Sequence, residues 1–254
     1  MTENPAWRHA IVVGASSGIG EAIARVLGAA GTRVVLVARR EQLLRSIAAS
    51  INASVRGELA FPLIADVRDA GSAAGAFQEA TTILGGLDLV VYAAGIQPPV
   101  GPGEYPTAMD VPVIETNVLG AIAWLNEAAF RFARAGSGTI IGISSVAGDR
   151  GRVGSPVYNA SKAALDSYLE SLHNRLARLH VTVVTAKPGF VQTALLEAAG
   201  SPRFPPPISP ERAAREILRA AASGKRLVYV PSWWRWIMMI IRHIPSPVFK
   251  RLNV

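Results

Sequence analysis

The chain has 254 residues, half of them hydrophobic, with no cysteine, four histidines and a formal net charge of +8. That length buries a substantial core and suits one α/β domain. Without cysteine neither a disulfide framework nor a thiolate metal site can form, and His9, His173, His180 and His243 show no spacing that would hold zinc.

The N-terminal residues lack the basic start, apolar run and cleavage site of a signal peptide, so the expected location is cytoplasmic. In chain order, apolar runs rich in β-branched residues predict strands at Ala10–Val13, Arg33–Val37, Leu59–Ala65, Leu87–Tyr92, Thr139–Ser144, Val181–Ala186 and Leu227–Val230. Several are apolar on successive residues, the pattern of parallel strands buried on both faces. Between them, helical patterns cover Ile19–Ala30, Glu41–Ser50, Ala70–Leu84, Pro112–Ala135, Pro156–Leu179 and Pro210–Ala222. The alternation predicts an α/β fold, a doubly wound Rossmann-type parallel sheet of about seven strands with helices on both faces. Residues 1–231 are expected to form one catalytic domain, and 232–254 a basic, Trp-rich amphipathic extension. The Pro-rich stretch Ser201–Pro210 interrupts the rhythm.

The first strand runs into Gly14-Ala-Ser-Ser-Gly18-Ile-Gly20 and then a helix. Glycines there let backbone approach a pyrophosphate, and the helix N-terminus offers free N–H groups and a positive dipole end. The second strand ends at Val37-Ala38-Arg39-Arg40, with no carboxylate to take hydrogen bonds from a ribose 2′-hydroxyl. Two guanidinium groups suit a 2′-phosphate instead, so the expected cofactor is NADP(H). Asp66 and Asp69 precede a helix and could cap it.

Further on, Tyr158-Asn-Ala-Ser-Lys162 puts a phenol and an ammonium on one helix face at i and i+4. A nearby ammonium favours the phenolate, which would make Tyr158 an acid/base near neutrality. Ser145 closes the fifth strand and can donate to a carbonyl oxygen. Its neighbour Ser144 should face the other side of the sheet.

These ordered motifs, spread over roughly residues 10 to 230, resemble the short-chain dehydrogenase/reductase family. The turn matches its T-G-x-x-x-G-x-G pattern except for Val13 in place of Thr; the Y-x-x-x-K motif and the thirteen-residue Ser-to-Tyr spacing also match. Where the family shows N-N-A-G, this chain has Tyr92-Ala93-Ala94-Gly95, a change expected to lose sheet-stabilising contacts. The resemblance implies a carbonyl–alcohol oxidoreductase with catalytic Asn117, Ser145, Tyr158 and Lys162, Asn117 supporting a water relay behind Lys162. It implies cofactor contacts from Gly14, Ser16, Ser17, Gly18, Ile19, Gly20, Arg39, Arg40, Asp66, Val67, Ala94, Gly95, Asn117, Tyr158 and Lys162. Pro188, Gly189, Val191 and Thr193 complete that set around the nicotinamide carboxamide, with Phe190 and Ala194-Leu195-Leu196 as pocket wall and lid. A cofactor-binding sensor without turnover is the other reading; loss of Tyr158 or Lys162 would have marked it.

Beyond Glu216 the chain has no acid, and Ser232–Ile244 is a Trp-rich amphipathic stretch too short to span a bilayer. Three Trp beside Arg235 and Arg242, followed by Lys250 and Arg251, suit an anionic membrane surface, so an attachment to the inner face of a membrane is one expectation. A tail packed over the cleft is the other. Either favours a hydrophobic substrate. Two Ala-rich helices, Pro112–Ala135 and Pro156–Leu179, predict a homodimer or homotetramer, as the resemblance implies. No reading helix or stacking sheet for nucleic acid is apparent.

Overall fold

The computed structural model describes residues 6–55, 57–198, 200 and 205–252. Seven parallel strands form one sheet in the order β3-β2-β1-β4-β5-β6-β7. They are β1 (His9–Val13), β2 (Arg33–Ala38), β3 (Ala60–Ile64), β4 (Leu89–Tyr92), β5 (Gly138–Ile143), β6 (Val181–Pro188) and β7 (Leu227–Val230). Their continuous apolar runs are explained by helices covering both faces. Helices α1 (Gly18–Ala29), α2 (Glu41–Ser54) and α8 (Pro210–Ala222) bury Leu27, Leu44 and Ile217 against one face. Helices α3 (Ala73–Leu84), α5 (Gly120–Ala135) and α6 (Pro156–Leu176) bury Phe77, Trp124 and Leu169 against the other.

The strand order reverses between β1 and β4, which opens a crevice at their C-terminal ends. Val13 lies opposite Val37 on one side and Tyr92 on the other, so the loops leaving β1, β2 and β4 converge there.

Helix α4 (Thr107–Ile114) begins five residues before Pro112, where the sequence predicts the start. Proline carries no N–H for the helix ladder, but this one sits early enough to interrupt a single bond. One turn later the ladder loosens into a π-turn at Glu115–Leu119, which carries Asn117, before α5 resumes. The run Thr107–Ala135 has the length and apolarity of a membrane span, yet its α5 part packs Trp124, Leu125, Ala128 and Phe132 into the core.

The C-terminal part folds back on the sheet. After α7 (Ala194–Ala198), α8 and β7 comes α9 (Trp234–His243), then the single turn α10 (Ser246–Phe249). Trp234 and Met238 of α9 are buried with Val146 against Phe190, Tyr229 and Ile241. Arg150, in the loop after β5, donates to the carbonyls of Ile241 and Ile244 (2.7 Å for Ile244) and stacks 3.8 Å from the Phe249 ring. Trp234 is thus covered by the fold, whereas Trp233, Trp236, Met239 and Ile240 face outward.

Candidate active site

A cavity of about 850 Å3 lies over the C-terminal ends of the strands. Its first end is built from backbone. Gly14 has φ of +88°, and the N–H groups of Gly14 and Ala15 donate to the Val37 carbonyl at 2.8 and 3.2 Å. A Cβ on Gly14 would lie 2.4 Å from the Ala94 nitrogen, so only glycine lets the loops after β1 and β4 meet. Gly20 sits beneath this turn, where a Cβ would strike the Gly14 carbonyl oxygen. Ser16, Ser17, Gly18 and Ile19 line the cavity above the N-terminus of α1. The Arg40 guanidinium forks onto the hydroxyls of Ser16 (2.9 and 3.1 Å) and Ser17 (2.6 Å). Arg39 also lines the cavity and leans on Asp66 at 3.5 Å. Asp66 is mainly occupied by Arg68, whose hydrogen bonds hold its carboxyl down at about 2. Val67, Ala94 and Gly95 complete the floor.

At the centre, α6 presents Tyr158 and Lys162 to the cavity, both buried. Lys162 Nζ donates to the Ile143 carbonyl at 3.0 Å and lies 5.7 Å from the centre of the Tyr158 ring. Ser145 lines the cavity beside the Tyr158 hydroxyl, and its Oγ also accepts from the Ala147 N–H at 3.1 Å. Ser144 turns into α6, donating to the Lys162 carbonyl at 3.3 Å. Asn117 does not reach the cavity surface. It is fully buried behind it: its side chain accepts from Ile96 N–H (2.9 Å) and donates to Ile96 O (3.1 Å) and Ser161 Oγ (3.0 Å). The π-turn rotates Asn117 into this position, so α5, α6 and the loop after β4 are locked together behind the tyrosine.

The far end is lined by Pro188, Gly189, Phe190, Val191 and Thr193 after β6, by Leu195 and Leu196 of α7, and by Val146 and Arg152 after β5. Gly189 is crowded for a reason outside the cavity: a Cβ there would sit 1.9 Å from Nε1 of Trp234. Helix α9 therefore seats on the turn that carries Phe190, whose ring meets Trp234 edge-on at 5.0 Å.

Comparison with known proteins agrees with this geometry. Residues 8–203 match the short chain dehydrogenase family. The chain belongs to that family. It is 34% identical over 245 residues to an uncharacterised oxidoreductase of Myxococcus xanthus, covering 96% of this chain and 95% of the relative. A second uncharacterised oxidoreductase, from Mycobacterium tuberculosis, is 31% identical over 243 residues, covering 95% and 96% of the two chains. Among solved structures, a variant of actinorhodin polyketide ketoreductase crystallised with NADPH is 26% identical with a TM-score of 0.79, over 88% of this chain and 95% of that one. A doubly wound oxidoreductase fold of the short-chain dehydrogenase type is thereby established.

Three features correct the sequence reading. The lysine does not govern the Tyr158 phenol in this structure: burial comes first and pushes it up, while Ser145 and the charge of Arg152 pull it down. Lys162 is itself lowered by burial, to about 8, with Asp166 opposing. Nor is the contact expected of the missing asparagine lost, because the Tyr92 hydroxyl donates to the Thr116 carbonyl at 2.6 Å and ties β4 to the π-turn.

Sequence reasoning missed a polar cluster behind α6. Lys187 pairs with Asp149 and, at 2.8 Å, with Asp166, and the Tyr229 hydroxyl donates to Asp149 at 2.8 Å. Burial opposes the Lys187 charge, but the two carboxylates hold its pKa up. The cluster fixes the loop after β5 and helix α6 to β6 and β7. Its only sequence signal is a lysine inside an apolar strand. Arg152 was missed as well, since an arginine in Asp149-Arg-Gly-Arg152 reads as a solvated loop.

Proposed function

We propose that this protein is an NADP(H)-dependent oxidoreductase that interconverts a carbonyl and an alcohol on a largely hydrophobic substrate, with Tyr158 as general acid and base. The observation that carries the reading is the convergence of Tyr158, Lys162 and Ser145 in the same cavity as the Gly14–Gly20 cradle. That cradle fits a dinucleotide, since Gly14 and Gly18 line the cavity where α1 begins and turn backbone, not side chains, toward it. The turn and the N-terminus of α1 would hold the pyrophosphate, and Arg40 and Arg39 a 2′-phosphate. Lys162 would hold the ribose, and Pro188, Gly189, Val191 and Thr193 the carboxamide. The bound nicotinamide supplies the hydride. In the reducing direction Tyr158 gives its proton to the carbonyl oxygen, while the Ser145 hydroxyl donates to the same oxygen as negative charge develops there. Asn117 holds α6 in register through Ser161. Phe190, Leu195, Leu196 and Val146 offer apolar contacts to the substrate.

The test is NADPH consumption with a panel of aldehydes and ketones. Turnover with at least one carbonyl, and weaker use of NADH, is expected. Binding of NADPH without any turnover would favour the sensor reading, and equal use of both cofactors would refute the preference.

For assembly, the outward faces of α4, the π-turn and α5 leave Met109, Val111, Leu119 and Phe130 exposed, which supports a homodimer or homotetramer. For location, we place the protein in the cytoplasm, with the outward face of α9 resting on an anionic membrane. Trp236, Met239 and Ile240 are exposed there beside Arg235 and Arg242. Co-sedimentation with anionic vesicles at low salt checks this; protein left wholly in the supernatant would contradict it.

A further inference from the structure

Arg152 is an unusual cation for this protein. It lines the main cavity six residues before Tyr158, and its charge acts on the Tyr158 hydroxyl. Among the described residues it has no carboxylate partner within ion-pair distance. Its one side-chain hydrogen bond, from Nη2 to the Asn159 amide oxygen, is long at 3.4 Å, and its Nε is buried with no partner. The neighbouring cations are handled differently: Lys187 sits between Asp149 and Asp166, and Arg150 is satisfied by two carbonyls and the Phe249 ring. Burial lowers the Arg152 pKa, the mark of a guanidinium that has lost water without gaining an anion.

We infer that Arg152 anchors a carboxylate on the substrate, so that the carbonyl compound is an oxo acid with an apolar remainder. The inference rests on the carbonyl–alcohol reading of the cavity. A carboxylate on Arg152 would meet the terminal nitrogens of the guanidinium, whose one side-chain hydrogen bond is the long one to Asn159. The anchored carboxylate would stand near the Tyr158 hydroxyl, which places the reacting carbonyl within a few bonds of it. Phe190, Leu195 and Leu196 would hold the apolar remainder. A neutral ketone leaves Arg152 dehydrated and unpaired, which costs binding. Arg152 is thus a specificity-determining residue, acting on the substrate and not only on the tyrosine.

The experiment compares kcat/KM for 2-oxooctanoate, 3-oxooctanoate and 4-oxooctanoate with NADPH, each against its own methyl ester, in the wild type, Arg152→Leu and Arg152→Lys. In the wild type the acid is expected to exceed its ester for at least one carbonyl position. That acid-to-ester ratio is expected to fall about 30-fold or more in Arg152→Leu, as for loss of one partner from a buried charge pair. Arg152→Lys keeps the charge without the fork and is expected to retain part of the preference. Esters preferred at all three positions would overturn the inference. So would equal losses for acid and ester in Arg152→Leu, because the cation would then serve Tyr158 alone. Should the wild type consume no NADPH with any acid, ester or neutral ketone, the oxidoreductase reading itself fails. Calorimetry of the three acids with the NADP+-loaded protein then decides: binding abolished by Arg152→Leu supports the anchor, and absent or unchanged binding overturns it.

Discussion

The two ends of the cavity are made of different material. At the cofactor end the surface is backbone and small residues, held by short hydrogen bonds from Gly14 and Ala15 to Val37 and by an arginine already satisfied by Ser16 and Ser17. A single added methyl at Gly14 has no room. At the substrate end the surface is side chains: aromatic and aliphatic residues supported from behind by α9, plus the Arg152 guanidinium, which has no carboxylate partner among the described residues. Between them stand Tyr158 and Lys162 on α6, clamped by Asn117 on one side and by the Lys187 cluster on the other. The difference teaches that geometry for the chemistry is fixed by backbone packing, whereas the choice of substrate rests on a few replaceable side chains.

The strongest way to separate the ends is to remove the proposed proton donor between them. Tyr158→Phe is expected to lower kcat by about 100- to 10,000-fold while NADPH still binds, measured by turnover and by cofactor fluorescence. A loss of NADPH binding equal to the loss of turnover would show that the two ends are not independent.

Next in size is the support for the substrate end. Trp234→Ala removes a buried aromatic that packs on Gly189 and Phe190, and a loss of about 3–5 kcal/mol is expected in urea unfolding. If α9 mattered only as an exposed tail, stability would hardly change.

At the cofactor end, Arg40→Ala is expected to reduce the preference for NADPH over NADH by about 10- to 100-fold, the value of a charge-assisted hydrogen bond or two. Arg39→Ala should do less, because Arg39 is half exposed and partly committed to Asp66. Steady-state ratios for the two cofactors check both; a larger effect at Arg39 would reverse the assignment.

The fold and the cofactor end were legible for one reason: their determinants are local. Runs of successive apolar residues mark strands covered on both faces, and Gly14, Gly18 and Gly20 stand together in the chain. Tyr158 and Lys162 are one helical turn apart, so their shared face follows from periodicity. The substrate end was not legible because its determinants are burial and contact between distant segments. Nothing in Asp149-Arg-Gly-Arg152 says that Arg150 will cap α9 while Arg152 turns inward. The seat of Trp234 on Gly189 joins residues 45 positions apart. The helix start at Thr107 was missed because Pro112 was read as a first residue, whereas it is tolerated inside α4. The upward shift of the Tyr158 phenol was missed on the same ground, since its burial could not be seen from a neighbouring lysine.

A further expected effect is one of pH, and its sign follows from that burial. With the phenol pushed up, Tyr158 is protonated through neutral pH. Reduction uses the phenol, so its rate should stay level there. Oxidation uses the phenolate, so its kcat/KM should climb as pH rises from about 6 to about 9. Profiles in both directions check this, and an oxidation rate that falls across that range would contradict the burial argument.

The central claim is that this cavity transfers hydride between a nicotinamide and a carbonyl carbon. It is tested most directly by supplying NADPH deuterated on the transferring face of nicotinamide carbon 4 and following the label by mass spectrometry. The account predicts one deuterium on the carbinol carbon of the alcohol product. An unlabelled alcohol, or oxidation of the cofactor without any alcohol formed, would contradict it.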